Sequence, residues 1–133
     1  MTIGPVSGNG IAISIPANKI VFWSALVQSS ANQFIQLKDS NANIVFTVQG
    51  ASSSGGIPTQ IGSGFFQADT SGSYSIWIGT NGGKSYSQIL WSQDVITSGS
   101  SVYFGKYIFA SEDAMDYDYN DSFIQLQWFQ NVG

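Results

Sequence analysis

Five of the eight acidic side chains in this 133-residue chain, Glu112, Asp113, Asp116, Asp118 and Asp121, fall within ten consecutive positions. Asn120 sits among them, so the segment Ser111-Glu-Asp-Ala-Met-Asp-Tyr-Asp-Tyr-Asn-Asp121 is a dense array of hard oxygen donors. Calcium takes about six to eight such oxygens, and carboxylates and amide carbonyls are the side chains that supply them. Asp116, Asp118 and Asn120 stand at every second position, a spacing from which an extended or looped backbone could aim three ligands the same way. The plain alternative is a solvated acidic loop, as most charge runs are. Against it, the segment is interleaved with Ala, Met and two Tyr, and it runs straight into an alternating apolar stretch, Phe123 to Phe129. Like charges this close repel, and a divalent cation removes the repulsion. Glu112, Asp116, Asp118 and Asp121 sum to four negative charges, which two calcium ions would balance. An EF-hand does not fit: counted from Asp116, the sixth position is Asp121 where the turn needs Gly, and the twelfth is Gln127 where a bidentate Glu belongs. Magnesium fits less well than calcium, because it keeps its waters and rarely takes a cage made wholly of protein oxygens.

The rest of the composition removes other chemistries. Without Cys or His there is no disulfide, no zinc site of the usual kind and no Ser-His or Cys-His nucleophile. The positive charges are Lys19, Lys38, Lys84 and Lys106 against a net charge of −4, so no basic stripe exists for nucleic acid. No apolar run approaches the roughly 20 residues that span a bilayer, and the first ten residues lack the pattern of a secretory signal. The expectation is therefore no membrane insertion and cytoplasmic synthesis, with release to the cell surface or outside left open.

The elements that must position the acidic segment read as strands. Ile11, Ile13 and Ile15 alternate with Ala12 and Ser14, and Ile124, Leu126 and Trp128 alternate with Gln125 and Gln127. Further candidates are 21–27, 33–37, 44–48, 64–67, 73–78, 86–91 and 102–109, separated by turn-formers such as Asp39-Ser-Asn, Asp69-Thr-Ser-Gly and Asn81-Gly-Gly. About nine short strands at this spacing predict an all-β antiparallel β-sandwich or barrel. No composition break divides the chain, so residues 1–133 are expected to form a single domain. The four Trp are expected to pack the core rather than to stack on a ligand.

Ser111-Glu112-Asp113, followed by Asp116-x-Asp118-Tyr119-Asn120-Asp121 and a strand ending at Trp128, resembles the calcium-dependent bacterial lectins that bind fucose and mannose, of the LecB type. Ile15-Pro16-Ala17-Asn18, a strand, and then Gln28-Ser29-Ser30-Ala31 resemble the sugar-facing loop of that family. The two ends carry the likeness; from about Asp39 to Ser101 only the strand pattern can be matched. The resemblance implies a carbohydrate-binding lectin in which two adjacent calcium ions coordinate sugar hydroxyls. Carried over residue by residue, Glu112, Asp116, Asp118 and Asp121 would hold one ion, and Asp118, Asn120, Asp121 and the main-chain carbonyl of Gln28 the other. Ser29, Ser30 and Ala31 would tune which sugar is preferred, and Asp113 and Ser30, beside the metal ligands Asp116, Asp118, Asn120 and Asp121, would contact it. The family's terminal Gly carboxylate completes a calcium site in a neighbouring subunit, a role that would fall to Gly133 in a homodimer or higher homo-oligomer. Here five residues follow Trp128 where the family has three, and Ala114 and Met115 replace small or polar residues.

Two other functions remain in play at this stage. A glycosidase needs a protonated carboxyl apart from its partner, which a metal-bound cluster does not leave available; the chain is expected not to be an enzyme. A structural calcium-binding β-sandwich module of an adhesin or surface protein would bind metal without sugar.

Overall fold

The computed structural model describes residues 2–5, 10–52, 57–112 and 119–130. Eleven strands run through these residues: β1 (Thr2–Pro5), β2 (Ile11–Ser14), β3 (Ile20–Val27), β4 (Gln33–Asp39), β5 (Ile44–Gly50), β6 (Thr59–Gln67), β7 (Ser73–Thr80), β8 (Ser85–Tyr86), β9 (Gln88–Ser98), β10 (Ser101–Glu112) and β11 (Ser122–Phe129). They form two antiparallel sheets, ordered β1-β9-β10-β11-β3-β6 and β2-β7-β4-β5, with β8 beside β7. Of the sandwich or barrel that the alternation predicted, the chain forms the all-β sandwich that the family resemblance implied. The nine expected strands correspond to β2 to β7 and β9 to β11; β1 and β8 are too short to show a period. Glycines hid the first half of β6, and polar residues hid the far half of β9.

Alternation explains which faces meet. On β3, Val21, Trp23, Ala25 and Val27 are buried while Ile20 and Leu26 are exposed, and on β11 Ser122, Ile124, Leu126 and Trp128 are buried. These faces pack on Ile35 and Leu37 of β4 and Tyr74, Ile76 and Ile78 of β7. Trp23 and Phe46 stack across the two sheets at 3.9 Å between centroids. The indoles need space opposite them, and glycine provides it. A Cβ on Gly105 would lie 2.4 Å from the Trp128 ring, and one on Gly64 would lie 3.0 Å from Trp23 Nε1. Glycine inside a strand weakens it unless something must approach closely, and here a tryptophan does.

The middle of the six-stranded sheet is regular. β10 pairs with β11 from Phe104↔Phe129 to Ser111↔Ser122, and β11 with β3 from Ser122↔Val27 to Trp128↔Val21, both without a register shift. The ends of these three strands are therefore fixed side by side. Gly105→Ala is expected to lower unfolding stability by about 1–3 kcal/mol through overpacking against Trp128, measurable by thermal or urea unfolding of the purified protein.

Candidate functional site

The unshifted register brings Ser111, Ser122 and Val27 into one row at the tip of the sandwich. The next row outward holds Glu112 of β10, Asp121 just before β11 and Gln28 just after β3. Main-chain hydrogen bonds lock it: Gln28 N donates to Asp121 O at 3.0 Å, and Asp121 N donates to Ser111 O at 3.1 Å. Beneath this row the buried hydroxyls of Ser111 and Ser122 hydrogen-bond to each other, which closes the apolar core with a polar layer.

The burial of the acids runs against alternation. Tyr107, Phe109 and Ser111 are the inward residues of β10, so Glu112 belongs to the opposite face, yet it is only 3% exposed. Asp121 likewise shares the outward side with Phe123, and it is 9% exposed where Phe123 is 37%. Two carboxylates thus lie deeper than a neighbouring phenylalanine. Removing ionised groups from water costs several kcal/mol each unless partners replace the lost hydration. One such partner is the main-chain N–H of Tyr119, which donates to Glu112 Oε2 at 3.2 Å.

The 28–32 loop has further anchors. Ser29 O accepts from Ser52 N at 2.7 Å, Ser29 Oγ accepts from Ala31 N at 3.1 Å, and Ala31 O accepts from Gln33 Nε2 at 3.2 Å. Ser52 and Gln33 are both buried, and Ser52 Oγ also donates to Ile57 O at 2.6 Å. Ser29 is half-buried by this arrangement, and Ser30 and Ala31 face solvent.

Of the residues expected from sequence to form the site, the structure brings together Glu112, Asn120, Asp121 and Gln28, with Ser29, Ser30 and Ala31 in the adjoining loop. Asp113, Asp116, Asp118 and Gly133 lie outside the described residues. A cavity of about 240 Å³ on the outer side of the tip is lined by Gln28 and Asn120 together with Leu26, Pro58, Tyr119 and Phe123. A larger hollow of about 770 Å³ lies at the other end of the sandwich, beside Pro16, Tyr103 and Trp128, and carries no acidic residue. The sequence reading missed Gln33, Ser52 and Tyr119. Gln33 had a signal, since it stands in period with the inward Ile35 and Leu37 as an amide in an apolar row. Ser52, in a run of serines, had none.

As donors for a cation, the described residues offer two buried carboxylates, the Asn120 amide and the main chain of Gln28, all hard oxygen groups with no sulfur or imidazole. That set fits calcium and does not fit zinc or copper. Among the described residues no group of three acidic side chains comes together.

The family model described as "Fucose-binding lectin II (PA-IIL)" matches residues 13–130. Thrombocorticin from Corticium sp. is 53% identical over 49 residues, a match spanning 37% of this chain and 37% of that protein. Three lectins share the fold. The Ralstonia solanacearum high-affinity mannose-binding lectin has a TM-score of 0.75 at 24% identity, over 92% of this chain and 96% of its own. The Chromobacterium violaceum lectin CV2L, solved with α-methyl-fucoside, has a TM-score of 0.75 at 24% identity, over 96% of this chain and all of its own. The C-terminal domain of the BC2L-C lectin from Burkholderia cenocepacia has a TM-score of 0.73 at 23% identity, over 94% of this chain and 97% of its own.

Gln33→Leu keeps the volume of the buried side chain and removes its bond to Ala31 O. It is expected to cost about 1 kcal/mol and to speed amide hydrogen exchange at residues 29–31, read by mass spectrometry, while exchange in β10 and β11 stays unchanged.

Proposed function

The chain belongs to the fucose-binding lectin II (PA-IIL) family, and we propose that it is a non-enzymatic lectin whose sandwich tip binds fucose- or mannose-containing glycans through two adjacent calcium ions. The observation that carries this reading is the burial of Glu112 and Asp121 side by side, tied through Asp121 to Gln28. Such carboxylates are unfavourable in a plain sandwich and favourable as cation ligands.

Glu112, Asn120, Asp121 and the Gln28 carbonyl would hold the ions, together with Asp116 and Asp118. When bound, calcium supplies open coordination positions at which a vicinal diol replaces water. The protein does the rest. Carboxylates of the cluster, Asp113 among them, accept hydroxyl protons in charge-assisted hydrogen bonds. Ser29, Ser30 and Ala31 border the same tip, and Ser30 offers a solvent-facing hydroxyl whose match or mismatch to an epimer sets preference. Association into a homo-oligomer would multiply weak single sites by avidity, and Gly133 is the residue by which a subunit would contribute to its neighbour.

Chelation is expected to abolish binding to immobilised fucose and mannose and to lower the unfolding temperature, because a native-state ligand stabilises by mass action. Titration calorimetry with and without calcium measures the first effect, and a thermal scan with and without chelator the second. Metal uptake that stabilises the fold without any glycan-array signal would overturn the lectin reading in favour of a structural module. Asp118→Ala is expected to lose both ions, and full sugar affinity in that variant would refute a bridging role. Ser29→Ala with Ser30→Ala is expected to change the fucose-to-mannose affinity ratio while calcium affinity stays as it was, measured by the same titrations.

A further inference from the structure

Tyr119 combines three features that no other described residue at the tip shares. Its backbone is left-handed, with φ of 53°, a conformation that bulky side chains rarely adopt and that costs about 1–3 kcal/mol unless surroundings impose it. Its main-chain N–H donates to Oε2 of the buried Glu112 at 3.2 Å. Its phenol donates to Gln88 Oε1 at 3.1 Å. Gln88 is the first residue of β9 and pairs in register with Glu112. The tyrosine therefore spans one cross-strand pair, holding the acid with its backbone and the amide with its side chain. Asn120 and Asp121, the donors that follow it, begin from wherever Tyr119 is fixed.

We infer that Gln88 and Tyr119 form a brace that sets Glu112 and the Asn120–Asp121 step in a ligand-ready position before the cation arrives. This rests on the calcium reading above and assigns two positioning residues to that site. The Tyr119 N–H holds one carboxylate oxygen of Glu112, and the Glu112 side chain loses rotational freedom. In the absence of metal that donor offsets part of the burial cost of the carboxylate. The phenol–amide bond keeps the strained residue from relaxing to an ordinary φ, which would swing Asn120 away from the tip. Ligand-orienting contacts of this kind commonly change metal affinity by about 10–100-fold when broken. Gln88 is solvent-exposed and Tyr119 half-buried, so the brace contributes little to the core.

The test is a double-mutant cycle read by calcium titration and by thermal unfolding in chelator. Tyr119→Phe removes the phenol hydroxyl and keeps the ring, while Gln88→Met removes the acceptor and keeps the length. Each is expected to weaken calcium binding about tenfold, with the double variant no weaker than either single one, and with the calcium-free melting point unchanged. Gln88→Glu, which retains an acceptor opposite the phenol, is expected to bind calcium at least as well as the wild type. Wild-type affinity in Tyr119→Phe, or two losses that simply multiply, would overturn the brace; so would a fall in the calcium-free melting point that accounts for the weaker binding. If the wild-type chain itself takes up no calcium, the lectin reading fails and the brace with it, whereas uptake by the wild type with unaltered variants sinks the brace alone.

Discussion

Everything at the functional end of this molecule follows from the cost of burying negative charge. Glu112 and Asp121 are taken out of water at the edge of a sandwich whose neighbouring outward positions, Leu26 and Phe123, stay more exposed than they do. Hydrophobic packing cannot account for that placement, because it would exchange the two kinds of residue. The carboxylates must be held by directional bonds, and they are held where strand register is strictest. Main-chain bonds from Gln28 to Asp121 and from Asp121 to Ser111 fix the backbone beside them, and the Tyr119 N–H donates to the Glu112 carboxylate itself. On the lectin reading, a cation then completes an arrangement that the fold has assembled at its own cost.

The sheet can do this because its centre is regular and its irregularities are elsewhere. β10 shifts register against β9 near Val102 and Phe104, and β3 shifts against β6 at Ala25 and Leu26, but the β10–β11–β3 ladder has no such break. A one-residue slip would turn every side chain to the opposite face, and with it Glu112 and Asp121. Trp23 and Trp128 resist slippage by lying against glycines that no other position could replace. The tryptophans thus serve the site from a distance, as core wedges rather than sugar platforms, in keeping with their inward alternation.

The sequence made some of this legible and concealed the rest for physical reasons. Period-two patterning is a local property, so β2, β3, β4, β5, β7 and β11 could be read directly, and so could the density of oxygen donors between Glu112 and Asp121. Pairing order is not local: nothing in the chain says that β3 lies between β11 and β6, which is what brings Gln28 to Asp121. The family resemblance supplied that neighbour where pattern could not. Burial of the acids was invisible for a different reason, since alternation assigns Glu112 to the solvent side, yet it is buried and accepts a hydrogen bond from the Tyr119 N–H. Left-handed geometry at a tyrosine has no sequence signature at all. Gln33 could have been found, because an amide in register with Ile35 and Leu37 must satisfy itself with a nearby carbonyl, and it does so at Ala31.

These observations separate two parts of the tip that sequence alone runs together. The acidic part is held by the six-stranded sheet, through Ser111, Ser122 and the Glu112–Tyr119–Gln88 contacts. The 28–32 loop is held by the other sheet and the connection leaving it, through Gln33 of β4 and Ser52 after β5. The two meet at the main-chain bond from Gln28 to Asp121, which needs no particular side chain. On the proposed function, the 28–32 loop would set sugar preference through its side chains while Glu112 and Asp121 would hold the cation.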